Sequence, residues 1–185
     1  TYTFEYGDFS LTEKVKIGNR TLAEYRYTDD RNFYLETLDY GNDDSVYYKY
    51  DAKGRVEYLE YEDGKRVYYT YDNSGRTATI SDESSGTVRS IGYDFVDRIS
   101  VYKEENADTK LSLSYSYDEE TKKVKTVQEN VNGRTQTVSY DYDDKERVQS
   151  YQKGDSKQVY TYDDFERVPS YVTSHKNTEG EFDPV

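Results

Sequence analysis

Aromatic and polar residues alternate along most of this chain, and the alternation returns at a nearly fixed interval. Tyr6, Tyr27, Tyr50, Tyr71, Tyr93, Tyr117, Tyr142 and Tyr162 stand at successive spacings of 21, 23, 21, 22, 24, 25 and 20 residues. Two residues before each lies Phe4, Tyr25, Tyr48, Tyr69, Ile91, Tyr115, Tyr140 or Tyr160. A two-residue offset puts both members of a pair on one face of a β-strand. Asp follows the anchor tyrosine directly in six of the eight copies, from Asp51 to Asp163. Five residues after the anchor come Arg55, Arg76, Arg98, Arg147 and Arg167, then the β-branched residues Val56, Thr77, Ile99, Val148 and Val168. The copy at Tyr117 is one residue longer and places Lys123-Val124 there.

Turn chemistry separates the strands. Asp51-Ala-Lys-Gly54 and Asp72-Asn-Ser-Gly75 carry Asp at the first turn position and Gly at the last, the pattern of a type I turn followed by a left-handed residue. Asp63-Gly64, Asn132-Gly133 and Lys153-Gly154 mark a second set of short loops, expected at the opposite edge of the sheet. Each period of about 22 residues is therefore two strands and two turns, and eight periods predict about sixteen strands. The expected fold is all-β, an extended and curved antiparallel sheet of tandem hairpins. The array is expected over residues 1–171. Pro169 belongs on an edge strand because it lacks a ladder donor. Residues 172–185, where the pattern fades, are expected to be an irregular tail.

Composition supports strands over disorder. The chain is polar on average and carries 38 acidic against 25 basic residues, but 24 Tyr and 6 Phe supply apolar rings with strong strand preference. A net charge of −13 argues against nucleic acid and anionic membrane surfaces as partners. No apolar run reaches the roughly 18 residues of a membrane helix, so membrane insertion is not expected. Without cysteine there is neither a disulfide framework nor a thiolate metal site. There is no methionine, so Thr1 is expected to be the start of a processed product or of a piece of a larger protein.

The unit Tyr48-Lys-Tyr-Asp-Ala-Lys-Gly-Arg-Val56, followed by Asp63-Gly64, resembles the consensus of the Rhs/YD-repeat family, and Tyr69-Thr-Tyr-Asp-Asn-Ser-Gly-Arg76 is nearly as close. The resemblance covers about residues 2–171. Members include bacterial Rhs proteins, the cocoon components of insecticidal Tc toxins and the teneurins of animal cell surfaces. It implies a spiralling β-sheet wound into a hollow shell that in the bacterial proteins encloses a C-terminal toxin. It also implies a secreted or cell-surface setting. The family's C-terminal core motif is absent, and Phe182-Asp183-Pro184 echoes it by two residues only. MORN repeats have a similar period but more glycine than the 11 residues here.

On this reading Tyr27, Tyr50, Tyr71, Tyr93, Tyr117, Tyr142 and Tyr162, with Arg55, Arg76, Arg98, Arg147, Arg167, Gly54 and Gly75, are structural repeat anchors. Equivalent rings are expected to meet across the sheet, with Tyr71 and Tyr142 substantially buried. The arginines are expected beside a carboxylate or tyrosine of the neighbouring repeat. Tyr48, Tyr69, Tyr115, Tyr140 and Tyr160 are the candidate ligand-facing residues, since aromatic platforms stack on sugar rings. The Asp pairs at 29–30, 43–44, 143–144 and 163–164 offer hard oxygens to calcium, but turn aspartates commonly bond their own backbone. His175 is the only histidine. No acid pair stands out for glycoside hydrolysis. No catalytic residue, metal site or cofactor is assigned. The expected function is a structural scaffold, a wall segment of a β-shell. Its expected partner is the remainder of a larger YD-repeat protein, or a second copy through edge strands. The alternative is a module binding glycan or protein on its tyrosine face.

Overall fold

A computed structural model describes residues 1–42 and 44–184. The chain divides into two units, Thr1–Val88 and Arg89–Val185. The first holds β1 (Tyr2–Tyr6), β2 (Thr12–Ile17), β3 (Arg20–Tyr27), β4 (Leu35–Tyr40), β5 (Ser45–Tyr50), β6 (Val56–Tyr61), β7 (Arg66–Tyr71) and β8 (Thr77–Asp82). Each pairs antiparallel with the next. The second holds most of β9 (Thr87–Tyr93), then β10 (Ile99–Glu105), β11 (Lys110–Tyr117), β12 (Val124–Val131), β13 (Arg134–Tyr142), β14 (Val148–Lys153), β15 (Ser156–Thr161), β16 (Ser170–Lys176) and β17 (Phe182–Pro184). These too run as an antiparallel meander. The only helical turn among the described residues is the 3-10 segment Asp8–Ser10.

Seven of the anchor tyrosines end incoming strands, and at six of them the pairing slips. Lys49 faces Tyr58 but Tyr50 faces Val56, so Val56 and Glu57 together oppose one residue. The same bulge falls at Tyr6/Thr12, Tyr27/Leu35, Tyr71/Thr77, Tyr117/Val124 and Tyr142/Val148. A bulge leaves one residue outside the ladder and turns its backbone groups aside.

One face of each unit is apolar and the other polar. Val46, Val67 and Val138, each four residues before an anchor, are buried. The tyrosines two residues before the anchors share that face and lie opposite aliphatic or aromatic residues: Tyr48 opposite Leu59, Tyr69 opposite Ile80, Tyr115 opposite Val127, Tyr140 opposite Tyr151, Tyr160 opposite Tyr171. The reverse face carries hydroxyl pairs, Thr70–Thr79 and Ser116–Thr126, each at 2.6 Å, and the Arg66–Glu60 ion pair. No large side chain among the described residues is fully buried.

The tail differs from the expectation. Residues 170–176 form β16 on β15, and β17 folds back on it at Ser174–Lys176. The hairpin is closed by Asn177, whose Oδ1 accepts from the N–H groups of Glu179 and Glu181, while Gly180 N–H donates to the Asn177 carbonyl. Asn177 does here what Asp does in the repeat turns. Counting Tyr-Asp pairs overlooks it because Asn stands for Asp and Glu181 for Arg. Strand number among the described residues is seventeen rather than sixteen for the same reason.

Candidate functional site

The side chains that recur in the sequence come together at one kind of place, the joint between successive repeats. It begins in the turn. Asp51 Oδ1 accepts from the N–H groups of Lys53 (2.8 Å) and Arg55 (3.0 Å), and Asp51 Oδ2 accepts from Arg55 Nε (2.8 Å). Gly54 follows at φ 78° and Gly75 holds the same place at φ 84°, a region open to glycine at no steric cost. Asp72–Arg76, Asp94–Arg98, Asp143–Arg147 and Asp163–Arg167 repeat the pair, with Nη2–Oδ2 distances of 2.6, 2.7, 2.7 and 2.8 Å. The Arg55 side chain holds Asp51 down to about 2. Arg76 and Arg147 lower Asp72 and Asp143, and the Arg167 backbone N–H lowers Asp163. The carboxylate thus belongs to the arginine's own turn.

The tyrosine belongs to the next repeat. The Arg55 guanidinium carbon lies 4.1 Å from the Tyr71 ring centre, Arg98 4.0 Å from Tyr117, and Arg147 4.2 Å from Tyr162. Arg147 Nη1 is buried with no hydrogen-bond partner among the described residues, as suits a guanidinium laid flat on a ring. Six anchor hydroxyls then donate to the backbone carbonyl of the residue that opens an outgoing strand of the preceding repeat. Tyr27 donates to Thr12 (2.9 Å), Tyr50 to Leu35 (2.8 Å) and Tyr71 to Val56 (2.7 Å) in the first unit. In the second, Tyr117 donates to Ile99 (2.6 Å), Tyr142 to Val124 (2.8 Å) and Tyr162 to Val148 (2.7 Å). Burial pushes the hydroxyls of Tyr27, Tyr50, Tyr117 and Tyr142 above the ordinary tyrosine range. Tyr93 ends β9 at the equivalent position.

This corrects the ladder of touching rings. Tyr71 and Tyr142 are half-buried rather than buried. Equivalent tyrosines stand two strands apart, roughly 9–10 Å, beyond the 4.5–7 Å or so over which ring centres attract. A cation and a hydroxyl bridge that gap. At Tyr142 the cation is Lys123, 5.7 Å from the ring centre. At Tyr50 it is replaced by Tyr34, stacked at 4.7 Å and 22°. Tyr34 immediately precedes Leu35 as Arg55 precedes Val56. The longer loop from Thr28 hides that equivalence in the sequence. Here Thr28 Oγ1 accepts from Tyr34 N–H in place of the missing Asp. The accepting carbonyls carry no residue signature, so no motif could reveal them.

The five candidate ligand-facing tyrosines do not converge on a pocket. They are half-buried, and two make cross-strand ring contacts, Tyr140–Tyr151 at 5.7 Å and Tyr160–Tyr171 at 6.3 Å. Among the Asp pairs, Asp30, Asp143 and Asp163 accept from backbone N–H groups of their own turns. Among the described residues no three His, Cys, Asp or Glu side chains are grouped to hold a metal. Asp43 lies outside the described residues. Nor is any helix among them long and apolar enough to cross a membrane.

Comparison with solved structures places this geometry. TcdB2-TccC3 superposes on 92% of the chain with a TM-score of 0.66 at 15% identity. Over that stretch the chain has the fold of a segment of those toxin chains, an all-β antiparallel meander. The Photorhabdus luminescens Tc holotoxin pore superposes on 96% of the chain with a TM-score of 0.59 at 10% identity. The chain spans only 10% and 12% of the length of those two chains. No family model matches the chain, and no curated protein matches it in sequence.

Proposed function

We propose that this chain is a non-enzymatic scaffold, a wall segment of a secreted or surface YD-repeat β-shell whose parent encapsulates or presents a toxin or adhesion domain. About eight repeats over residues 1–171 make up the wall. The observation that carries the reading is the repeated joint. The side chains able to do chemistry, Asp, Arg and Tyr, are spent on one another, six hydroxyls on six backbone carbonyls. A ligand would have to break the fold to use them. The likeness to Tc toxin chains supports the same role.

A second reading has one observation in its favour. An open groove of about 640 Å³ runs beside the half-exposed rings of Tyr40 and Tyr61 and the acids Asp44, Asp63 and Asp82. Rings beside carboxylates are a means of holding a sugar. Glycan-array screening followed by calorimetry separates the two. The scaffold reading expects no sugar affinity tighter than about 0.1 mM. A tighter hit abolished by Tyr61→Ala would establish the binding module instead.

A further inference from the structure

Tyrosine is the one readily oxidised side chain present in quantity: the chain holds 24 Tyr, no Cys, Met or Trp, and a single His. A one-electron oxidant therefore draws its electrons from phenols. The outcome depends on whether two rings stand close enough to react. The anchor rings do not, since two strand spacings separate them and six of their hydroxyls are engaged with carbonyls. Two other pairs do, one in each unit. Tyr58 and Tyr68 are directly opposite on β6 and β7, with ring centres 5.6 Å apart and planes at 53°. Tyr140 and Tyr151 are directly opposite on β13 and β14, at 5.7 Å and 58°.

The ladder brings both pairs close. Tyr61 N–H donates to the Lys65 carbonyl, which makes those two a hydrogen-bonded pair. Such pairs alternate with a closer, non-hydrogen-bonded kind, so Tyr58–Tyr68, three steps along, is of the closer kind, with Cα atoms about 4.5 Å apart. By the same alternation Leu59 bonds to Val67, so Tyr48–Leu59 is also of the closer kind, and Tyr140–Tyr151 holds its place in a later repeat. Arg66 fixes the first pair. Glu60 accepts from its Nε at 2.6 Å, its guanidinium carbon lies 4.7 Å from the Tyr58 ring centre, and its Nη1 donates to the Tyr68 hydroxyl at 3.3 Å. Tyr47, exposed and diagonal to Tyr58 on the same face, gives an oxidant a place to start. Tyr34 and Tyr50 stand nearer, at 4.7 Å, but lie face to face at 22°, whereas coupling joins ring edges.

We propose that Tyr58–Tyr68 and Tyr140–Tyr151 are sites of oxidative cross-linking, each joined as a dityrosine when a haem peroxidase and hydrogen peroxide act on the folded chain. Each phenol gives up one electron and its proton and becomes a phenoxyl radical. The two radicals pair their electrons in a new bond between ring carbons ortho to the hydroxyls. Each of those carbons then loses its hydrogen as a proton, and each phenol oxygen takes one back, which restores both rings. The two electrons and two protons removed overall reduce one peroxide to two waters. The bond spans neighbouring strands, so it closes each hairpin covalently in a chain that has no cysteine to do so. Its use, hardening a wall, rests on the scaffold reading.

Treatment of the full chain with peroxidase and limiting peroxide, dilute enough that copies seldom meet, tests this. Dityrosine fluorescence should appear in chains that are not joined to one another. Tryptic digestion should give peptide 56–65 joined to 67–76 and peptide 135–145 joined to 148–153, each product lighter than its parts by two hydrogens. Fragmentation should place the bonds at Tyr58–Tyr68 and Tyr140–Tyr151. Tyr68→Phe should abolish the first link and leave the second, and Tyr151→Phe should do the reverse. The linked chain should melt about 5 °C higher. In urea the same treatment should scatter the links over other tyrosines. An absence of dityrosine, links as scattered in the folded chain as in urea, or links that survive both phenylalanine changes overturn the proposal. Failure of the scaffold reading would appear separately, as sugar binding by a chain that cross-links at both pairs.

Discussion

The Gly54 and Gly75 turns of the first unit and the Glu146 and Glu166 turns of the second make the same hydrogen bonds with different residues. Gly54 N–H donates to the Asp51 carbonyl at 2.9 Å, and Glu146 N–H to the Asp143 carbonyl at 2.9 Å. Arg55 N–H and Arg147 N–H both reach the Oδ1 of their aspartate, at 3.0 and 2.8 Å. Yet Glu146 and Glu166 sit at φ 62°, where a side chain costs on the order of 1 kcal/mol. The glutamates hold a conformation that their own preference opposes. The comparison teaches that glycine is not what makes the turn. Asp with its two backbone donors and its arginine makes it, and glycine removes a penalty.

The largest effect on both regions should come from alkali. The anchor hydroxyls of Tyr27, Tyr50, Tyr117 and Tyr142 titrate above 10.0 in the fold. Their contribution is complete below about pH 10 and lost as pH rises through the folded values. An ionised tyrosine cannot donate to a carbonyl. Thermal unfolding followed by circular dichroism should show Tm falling steeply above pH 10 in both units together. An alkaline limb as shallow as that of an ordinary acidic protein would detach the hydroxyls from the stability of the joints.

Single joints come next. Tyr71→Ala should destabilise by about 2–4 kcal/mol and Tyr71→Phe by about 1 kcal/mol, the latter leaving the Val56 carbonyl without its donor. Tyr162→Ala should cost the same, because its joint has the same parts. Urea denaturation measures all three. If Tyr162→Ala proved nearly neutral, the Glu-containing turns would be loosened by their strain after all.

Acid should do less. Asp51, Asp72, Asp143 and Asp163 titrate below 3.8, Asp51 at about 2, so their contribution is complete above about pH 4 and lost as pH falls toward 2. Asp51→Asn should flatten that limb, and an unchanged acid profile in the variant would remove the aspartate from the account. The smallest effect is the most direct test of the comparison. Glu166→Gly should raise stability by about 0.5–1 kcal/mol, while Gly75→Glu should lower it by about 1 kcal/mol. If both lowered it, the glutamate side chain would be contributing a contact that outweighs the backbone cost.

Much of this was legible in the residues. The period, the antiparallel hairpins and the grouping of Tyr, Asp, Arg and Gly all follow from side-chain identity at fixed offsets. Three features were not. The bulge at six of the anchors depends on how turn length closes the ladder. The accepting carbonyls belong to the backbone and leave no trace in sequence. The substitution of Tyr34 for arginine and of Asn177 for aspartate preserves geometry while changing chemistry, which a motif search penalises. Equal offsets in sequence do not bring the anchor rings into contact, because two strand spacings lie between them.

The scarcity of buried side chains has a thermal consequence. Among the described residues only Val46, Val67 and Val138 are buried apolar residues, at 7%, 9% and 9% exposure. Heat capacity rises on unfolding mainly because apolar surface meets water, by about 12–15 cal/mol/K per residue in ordinary domains. A chain whose stability resides in hydroxyl, guanidinium and carboxylate contacts has less such surface to release. Its stability curve should be flatter, with cold denaturation pushed far below freezing and little loss of strength between a cool and a warm environment. A wall assembled from such repeats would keep nearly the same stiffness across the temperatures it meets.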